Sequence, residues 1–521
     1  MPIKFKSYMI NQAAAIGMII LSLMLMRVFI FYSGSDDRLI GIIPDDAFYY
    51  IKLAQHRISD GIWTFDGTAP ATGFHLLYGY FLVLIFSVAP NIEWQELFLL
   101  IGAISSITIS ISAYYCVKLI GEIFDKRFQL IGIIPFLTVP VFVQSTSLME
   151  SWAVILLSTL SIYTVAHNNR NTNKGLFLIL FLVGVFGSLS RTDYGLIAGV
   201  LFVSSFILKG IKGQSITIRA LTLLTGAFFG LGIAFLHNYH ITGNFLQASA
   251  QIKFHWSFIN GHSIEVPIKL LIKVLIPQWF PKWLIMLVLI SLLAAFLYSI
   301  SQAMKSKYGG ISSDRSVIFL ACSLTLFGYM LVYRNNSEAL QFWYSANFAA
   351  PAAIILSATI FYSMHNMQMI VTKITAFMFV LSALYNVQCI PYSHQSGMMK
   401  AGIFLQSMSN LETYGSWNAG IISYFSGKPL INLDGLTNDD VIPYVTSNSL
   451  FDYIKERNIS YLVDYSIMLE RIDMRIRGGY DDWRSTHCIT LEKVIDKESQ
   501  MFGESRVSIF SIQKACQRPT P

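Results

Sequence analysis

Long apolar runs separated by short polar connectors dominate the first three quarters of the chain. After Lys4 and Lys6 one run extends from Tyr8 to about Tyr32, and others lie near 96–117, 128–146, 151–166, 175–190, 194–208, 216–236, 283–300, 316–333, 344–363 and 371–388. Runs of this length predict membrane-crossing helices. The first exceeds a signal-peptide core of roughly 7–15 residues and lacks a small-x-small cleavage site, so it is expected to be a retained span. Beyond residue 389 the pattern shortens. Asn418–Ser426 and Leu450–Arg457 predict helices, Pro429–Leu433 and Ser460–Val463 predict strands, and Gly427 and Gly435 mark turns. The expected architecture is an all-α polytopic membrane domain (1–389) followed by a small C-terminal α/β soluble domain (390–521).

Composition sharpens this division. Of the 521 residues 54% are hydrophobic and 13% charged, whereas soluble domains carry about 25% charged residues. An ordinary soluble protein is excluded. Residues 1–389 hold 24 of the 37 Lys and Arg and 15 of the 30 acids, and the remaining 132 residues hold 13 and 15. The tail is therefore charged like a soluble domain. No Cys pair has C-x2-C zinc spacing; Cys488 and Cys516, both in the tail, are either a disulfide or two separate thiols.

The run Phe74–Ala89 decides the topology. If it crosses fully, the connectors holding Lys118, Lys126 and Arg127, then Arg170 and Lys174, then Lys209, Lys212 and Arg219 fall outside, against the positive-inside rule. If it dips into the outer leaflet, all of these lie inside with Lys305, Lys307, Arg315 and Lys373. With Lys4 and Lys6 this gives 14 inward Lys and Arg. The expectation is about eleven crossings, the N-terminus inside, the soluble domain outside, and a first outer loop over 33–95 with juxtamembrane helices. Twelve of the 15 acids of the membrane part then lie outside. Acids contribute little to orientation, so this bias points to chemistry on the outer face.

The first outer loop contains Ile43-Pro44-Asp45-Asp46-Ala47-Phe48-Tyr49-Tyr50 and a predicted amphipathic helix over Ile51–Ile58. Paired carboxylates where water meets lipid suit a general base for a lipid-borne substrate, and their mutual repulsion raises one pKa. The alternative is structural: Asp45 caps the helix and Asp46 favours its dipole.

Asp45-Asp46-Ala47-Phe48-Tyr49-Tyr50, followed by Thr72-Gly73-Phe74-His75, resembles the first-loop signature of membrane-embedded GT-C glycosyltransferases, in particular bacterial and archaeal families with D-D-A-x-Y-Y and T-N-G-F-H-P-L. Ser147-Leu148-Met149-Glu150-Ser151 is similar to their G-M-E-T turn, Ser190-Arg191-Thr192-Asp193 to R-T-D, and Asn238 through Lys253 to N-x-x-x-x-G...S-x-x-x-K. In the tail, Trp417-Asn418-Ala419-Gly420 and Asn432-Leu433-Asp434-Gly435-Leu436 resemble the family's soluble domain. The common order of these motifs spans most of the chain. Ala71-Thr72 stands where the family has Thr-Asn, and Leu76 where it has Pro.

The resemblance implies transfer of a hexose or pentose from a polyprenyl-phosphate carrier to a glycan, lipid or protein acceptor on the outer face, with inversion. A loop-one Asp, Asp45 or Asp46 with a slight preference for Asp45, is the expected base. Glu150 is expected to hold the acceptor or, with Asp45, a divalent cation (Mg or Mn), which a monophosphate leaving group does not require; the alternative is a helix-start acid before Ser151 and Trp152. Arg191 and Asp193 are expected either as an ion pair joining two spans or as acceptor-positioning groups. His75, Lys253, His255 and Arg334 are the candidate phosphate ligands. Trp343 and Tyr344, in Gln341-Phe342-Trp343-Tyr344, fit an interfacial aromatic belt or a sugar-stacking platform. Arg27, inside the first span, should face the bundle or snorkel. The setting implied is the plasma membrane with the bilayer as partner, and no nucleic-acid partner is expected. The competing classes are a transporter or flippase of lipid-linked saccharides and a catalytically silent glycan binder. A transporter would be expected to place its ionisable groups near the midplane rather than on one face.

Overall fold

The computed structural model describes residues 2–167, 174–209, 215–309, 313–335, 340–363, 368–409, 411–480, 488–495 and 506–513. Arg170, Lys212 and Cys516 lie outside them. Cys488 is disulfide-bonded, and Cys116, Cys322 and Cys389 are free.

The apolar runs fold as helices, among them Pro2–Tyr32, Trp94–Ile123, Ser215–Thr242, Lys282–Gly309, Ser313–Arg334 and Gln368–Gln388. The expected span at 128–146 is broken instead. Lys126–Leu137 forms tight 3-10 turns and meets Val139–Thr146 at 71°. Thr138 between them is extended, with ψ 151°, and Pro140 has no N–H with which to continue a helix from the preceding turn. Among the described residues five helices are long and apolar enough to cross a membrane, or six with the bent pair counted as one. The expected number of about eleven therefore exceeds what these two properties establish, because several runs form helices such as Ser151–Ala166 and Lys174–Ser190, of 16 and 17 residues. Leu76–Val88, in the run that decided the topology, has 13 residues. At 1.5 Å per residue it spans about 20 Å, short of a hydrocarbon core of roughly 30 Å.

Close helix contacts depend on small residues. A Cβ at Gly184, Gly226 or Gly230 would stand 2.1–2.4 Å from a backbone oxygen of the facing helix, so the pair Lys174–Ser190 and Ser215–Thr242 packs backbone to backbone in the manner of G-x-x-x-G interfaces. Arg27 faces the bundle. It is fully buried and donates to Thr146 Oγ1 at 3.0 Å, and to the carbonyls of Asn386 at 2.7 Å and Cys389 at 2.8 Å. Its charge thus satisfies the orphan carbonyls ending Gln368–Gln388.

Among the described residues the tail forms a five-stranded mixed sheet of order β2-β1-β3-β5-β4, with β1 Tyr414–Ser416, β2 Leu430–Asn432, β3 Tyr461–Tyr465, β4 Ile489–Val494 and β5 Val507–Ile512. β1 runs parallel to β2 and β3, in register Tyr414↔Leu430 and Tyr414↔Tyr461, while β3–β5 and β5–β4 are antiparallel. Short helices, Gly420–Ser426 and then Ile442–Thr446 with Leu450–Glu456, connect the parallel strands, as a parallel connection requires. The loop-one helix, Asp45–Ser59, begins earlier than expected. It is wedged under this domain: Phe48 is buried against Trp94, Tyr424 and Phe425.

Candidate active site

Adjacent residues on a helix point about 100° apart, so Asp45 and Asp46 meet different surroundings. Asp45 does not cap its own helix. Its carboxylate reaches across to the soluble domain and accepts the N–H groups of Ile421 at 2.6 Å and Gly420 at 3.2 Å. Burial pushes its pKa up to about 8, with the Ile421 bond pulling the other way. A Cβ at Gly420 would stand 2.3 Å from the Asp45 carbonyl oxygen, so only glycine admits this approach. One helical turn on, Tyr49 extends the join. Its hydroxyl accepts Ala419 N–H at 2.9 Å and lies 3.2 Å from the Trp417 carbonyl.

The Thr72-Gly73 segment makes a second join. Asp439 accepts Thr72 N–H at 2.8 Å and its hydroxyl at 2.9 Å, and Thr72 Oγ1 in turn accepts Ala248 N–H at 3.0 Å. A Cβ at Gly73 would fall 1.4 Å from the Leu436 carbonyl oxygen. Gly73→Ala is therefore expected to force loop one off the soluble domain, accelerating proteolysis of the 433–440 segment in detergent. Unchanged cleavage would show that the join gives way without separating.

Between these joins lies a cleft of two chambers sharing Asp46, Tyr49, Lys253, Trp343 and Leu436 as walls. The outer chamber, about 340 Å³, adds Trp256, Trp417, Asn418, Asp434, Arg471 and Arg477 among its lining. The inner one, about 40 Å³, adds Tyr50, His75, Glu150, Arg191 and Tyr344. Burial raises the pKa of Asp46, and the Lys253 ammonium opposes the shift. Lys253 remains a cation and donates to Tyr344 OH at 3.1 Å.

Arg191 organises the inner wall. It donates to Glu150 Oε1 at 3.1 Å and to both oxygens of Asp193 at 3.1 and 2.9 Å, and its guanidinium lies 4.4 Å from the centre of the Tyr344 ring. Asp193 also accepts Tyr333 OH at 2.8 Å and Asn347 Nδ2 at 3.2 Å. The expected ion pair is thus three-membered, and it ties the Ser151–Ala166 entrance to the Ser190–Gly195 turn. Leu148, where the resembled motif has Gly, holds a left-handed φ of 51° at the turn leading to Glu150, a conformation costing a non-glycine residue about 1–2 kcal/mol. Glu150 Oε2 is buried without a hydrogen-bond partner among the described residues. Glu150 also lines an apolar groove of about 320 Å³ with Leu77, Phe81, Trp152, Leu156 and Phe186.

The other expected residues fall differently around the cleft. Trp343 and Tyr344 form no exposed belt; each is 6% exposed and faces the cleft. His75 lines the inner chamber, but burial and the Arg191 charge bring its pKa down to about 3, so it is neutral rather than cationic near pH 7. His255 lines neither chamber: on Ala248–Asn260, Lys253 and Trp256 share a face three residues apart, and His255 points away from it. Arg334, exposed at the end of Ser313–Arg334, also lines neither. The acids offered for a divalent cation do not form a donor set. Both Asp45 oxygens hold backbone N–H groups, Glu150 Oε1 holds Arg191, and no three His, Cys, Asp or Glu converge as a metal site among the described residues. The sequence reading gave no role to Tyr49, Trp256, Asp434, Arg471 or Arg477; Tyr49 and Asp434 stand inside the motifs quoted above, and the other three carried no local signal.

Comparison with solved structures finds ArnT from Cupriavidus metallidurans bound to undecaprenyl phosphate, at 9% identity and TM-score 0.54 over 96% of this chain and 99% of that one. The archaeal oligosaccharyltransferase AglB from Archaeoglobus fulgidus, in complex with an inhibitory peptide and a dolichol-phosphate, is similar at 14% identity and TM-score 0.54, over 95% and 74%. A family model described as a domain of unknown function (DUF8728) matches residues 386–510. No curated protein matches the chain.

Proposed function

We propose that this chain, which has the fold of the GT-C glycosyltransferases, transfers a sugar from a polyprenyl-phosphate carrier to an acceptor hydroxyl in the cleft between its two domains. The observation that carries this reading is the position of Asp46. It stands where a cation-bearing inner chamber, in contact through Glu150 with an apolar groove, meets a larger polar outer chamber. That is the layout a lipid-borne anion and a polar nucleophile need.

The prenyl chain lies in the groove and its phosphate in the inner chamber, near Lys253 and Arg191. Lys253 has donors to spare beyond Tyr344. Asp46 accepts the proton of the acceptor hydroxyl as its oxygen attacks the anomeric carbon. The bond from that carbon to the phosphate oxygen breaks, and its electron pair leaves with the phosphate, whose charge Lys253 and Arg191 offset. A single displacement inverts the anomeric centre. Asp45, its oxygens occupied, holds the soluble domain in place. The resemblances of motif order and of fold support this reading, as do the known ligands in the neighbours' structures, undecaprenyl phosphate and dolichol-phosphate. The test is transfer from radiolabelled polyprenyl-phosphate sugars in membranes, wild type against Asp46→Asn; a wild-type protein that neither transfers nor releases sugar would overturn it.

The same reading places the protein in the plasma membrane with about eleven crossings, the N-terminus inside and the soluble domain outside. Reporter fusions after Ala89 and after Arg127 are expected to report the outside and the inside respectively. An outside signal at Arg127 would overturn the eleven-crossing topology.

A further inference from the structure

The outer chamber has a chemistry of its own. It opens at the carboxyl ends of the three parallel strands of the soluble domain: Trp417 and Asn418 follow β1, Asp434 follows β2, and Met468 and Arg471 follow β3. Ligands of open α/β sheets bind at that end. Its walls combine the indoles of Trp256, Trp343 and Trp417 with Asp434, Asn418 and Arg477. Flat aromatic faces among carboxylate, amide and guanidinium groups suit a ligand that is apolar on its ring faces and hydroxylated around its edge. A prenyl chain has the charge-poor groove instead, and a phosphate has the inner chamber.

Asp434 is held in a fixed position. One of its oxygens accepts Leu436 N–H at 2.8 Å, and Gly435 between them takes φ +82° where a Cβ would meet Ile442 at 3.2 Å. The strand before it is tied to loop one, since Asn432 Nδ2 lies 3.3 Å from Tyr49 OH, one turn along the helix from Asp46. Burial raises the pKa of Asp434, the Asp46 carboxylate across the chamber adds to the rise, and Arg477, which opposes it, lies 4.1 Å over the Trp256 ring. The two carboxylates thus come from different domains, share one cavity and are kept in register by a Tyr–Asn contact.

Resting on the transfer reading above, we propose that the acceptor is a saccharide, two of whose neighbouring hydroxyls are held by Asp46 and Asp434, so that the soluble domain supplies half of the acceptor subsite. Asp434 is a binding and positioning residue here; Asp46 takes the proton.

The experiment uses the full chain in detergent, a labelled polyprenyl-phosphate sugar as donor, and four probes as acceptor: octyl β-glucopyranoside, octyl β-mannopyranoside, n-octanol and a serine-containing peptide. The glycosides are expected to accept sugar, and octanol and the peptide not. Asp434→Asn should raise the glycoside KM roughly tenfold to a hundredfold, the range for losing a hydrogen bond to a charged group, with the donor KM within about twofold of wild type. Asp434→Ser, whose hydroxyl can still accept Leu436 N–H, should show the same split, which separates loss of the carboxylate from loss of the turn. Octanol or peptide used as well as the glycosides, donor hydrolysis with no glycoside product, or glycoside KM values unchanged in both variants would each overturn the saccharide subsite. Absence of any sugar release from the donor, even to water, would instead overturn the transfer reading beneath it.

Discussion

Asp46→Asn is expected to lower the rate of sugar transfer by about two to four orders of magnitude, the usual contribution of a positioned general base, with the protein still inserted and folded. The amide keeps the shape of the side chain and its contact with the cleft but cannot take a proton. Asp45→Asn acts differently. Asp45 accepts two backbone N–H groups of the soluble domain, and an amide presents one acceptor oxygen in place of two. One buried N–H then loses its partner, at a cost of about 1–3 kcal/mol. Transfer falls less than in Asp46→Asn, and the soluble domain becomes easier to detach by limited proteolysis. The measurement is initial transfer rate at matched expression, with melting in detergent as a control. The reverse order, Asp45→Asn inactive and Asp46→Asn active, would move the base to Asp45, and full activity in both would remove the base from this pair.

The pH dependence follows from the same contacts. As the proposed base Asp46 has to be ionised, and burial raises its pKa above an ordinary carboxylate value of ~4. Activity is therefore expected to fall as pH drops through that raised value. Because the Lys253 ammonium opposes the rise, Lys253→Met is expected to move this acid limb to higher pH as well as to weaken donor binding.

Arg191→Ala is the substitution expected to cost the most stability. Arg191 and Glu150 are 4% and 1% exposed, and removing the guanidinium leaves Glu150 and Asp193 in one buried network without their shared cation. Breaking a buried pair in this way costs about 3–5 kcal/mol. Arg191→Lys keeps a charge but not the planar fork that serves both acids, so it should fall between. Glu150→Gln, which removes one of the two acids and leaves Arg191 paired to Asp193, should cost clearly less than Arg191→Ala. Thermal unfolding in detergent checks the order, and an Arg191→Ala protein within about 1 kcal/mol of wild type would show that water already reaches the network.

Hydrophobic periodicity located the helices and the tail elements well because it is a local property. Gly420–Ser426, Leu430–Asn432, Leu450–Glu456 and Tyr461–Tyr465 all fall within a few residues of expectation. It could not foresee the break at Thr138, where Pro135 and Pro140 compete with a run that is otherwise apolar enough to span. Nor could it divide His255 from Lys253, since which face of Ala248–Asn260 meets the cleft depends on what packs against it.

The sequence by itself determined that charge is scarce, that it concentrates in a few connectors and loops, and that acids and bases capable of work on a lipid phosphate recur in a recognisable order. Only the tertiary structure decided which of them meet. Asp45 and Asp46 are chemically identical neighbours along the chain and both line the outer chamber, but they part because the oxygens of one hold the N–H groups of a helix some 375 residues away while the other also lines the inner chamber beside Lys253. Asp434 enters the same cleft only because the sheet turns the end of β2 toward it. Such meetings are fixed by the docking of two domains, and no local pattern encodes that contact.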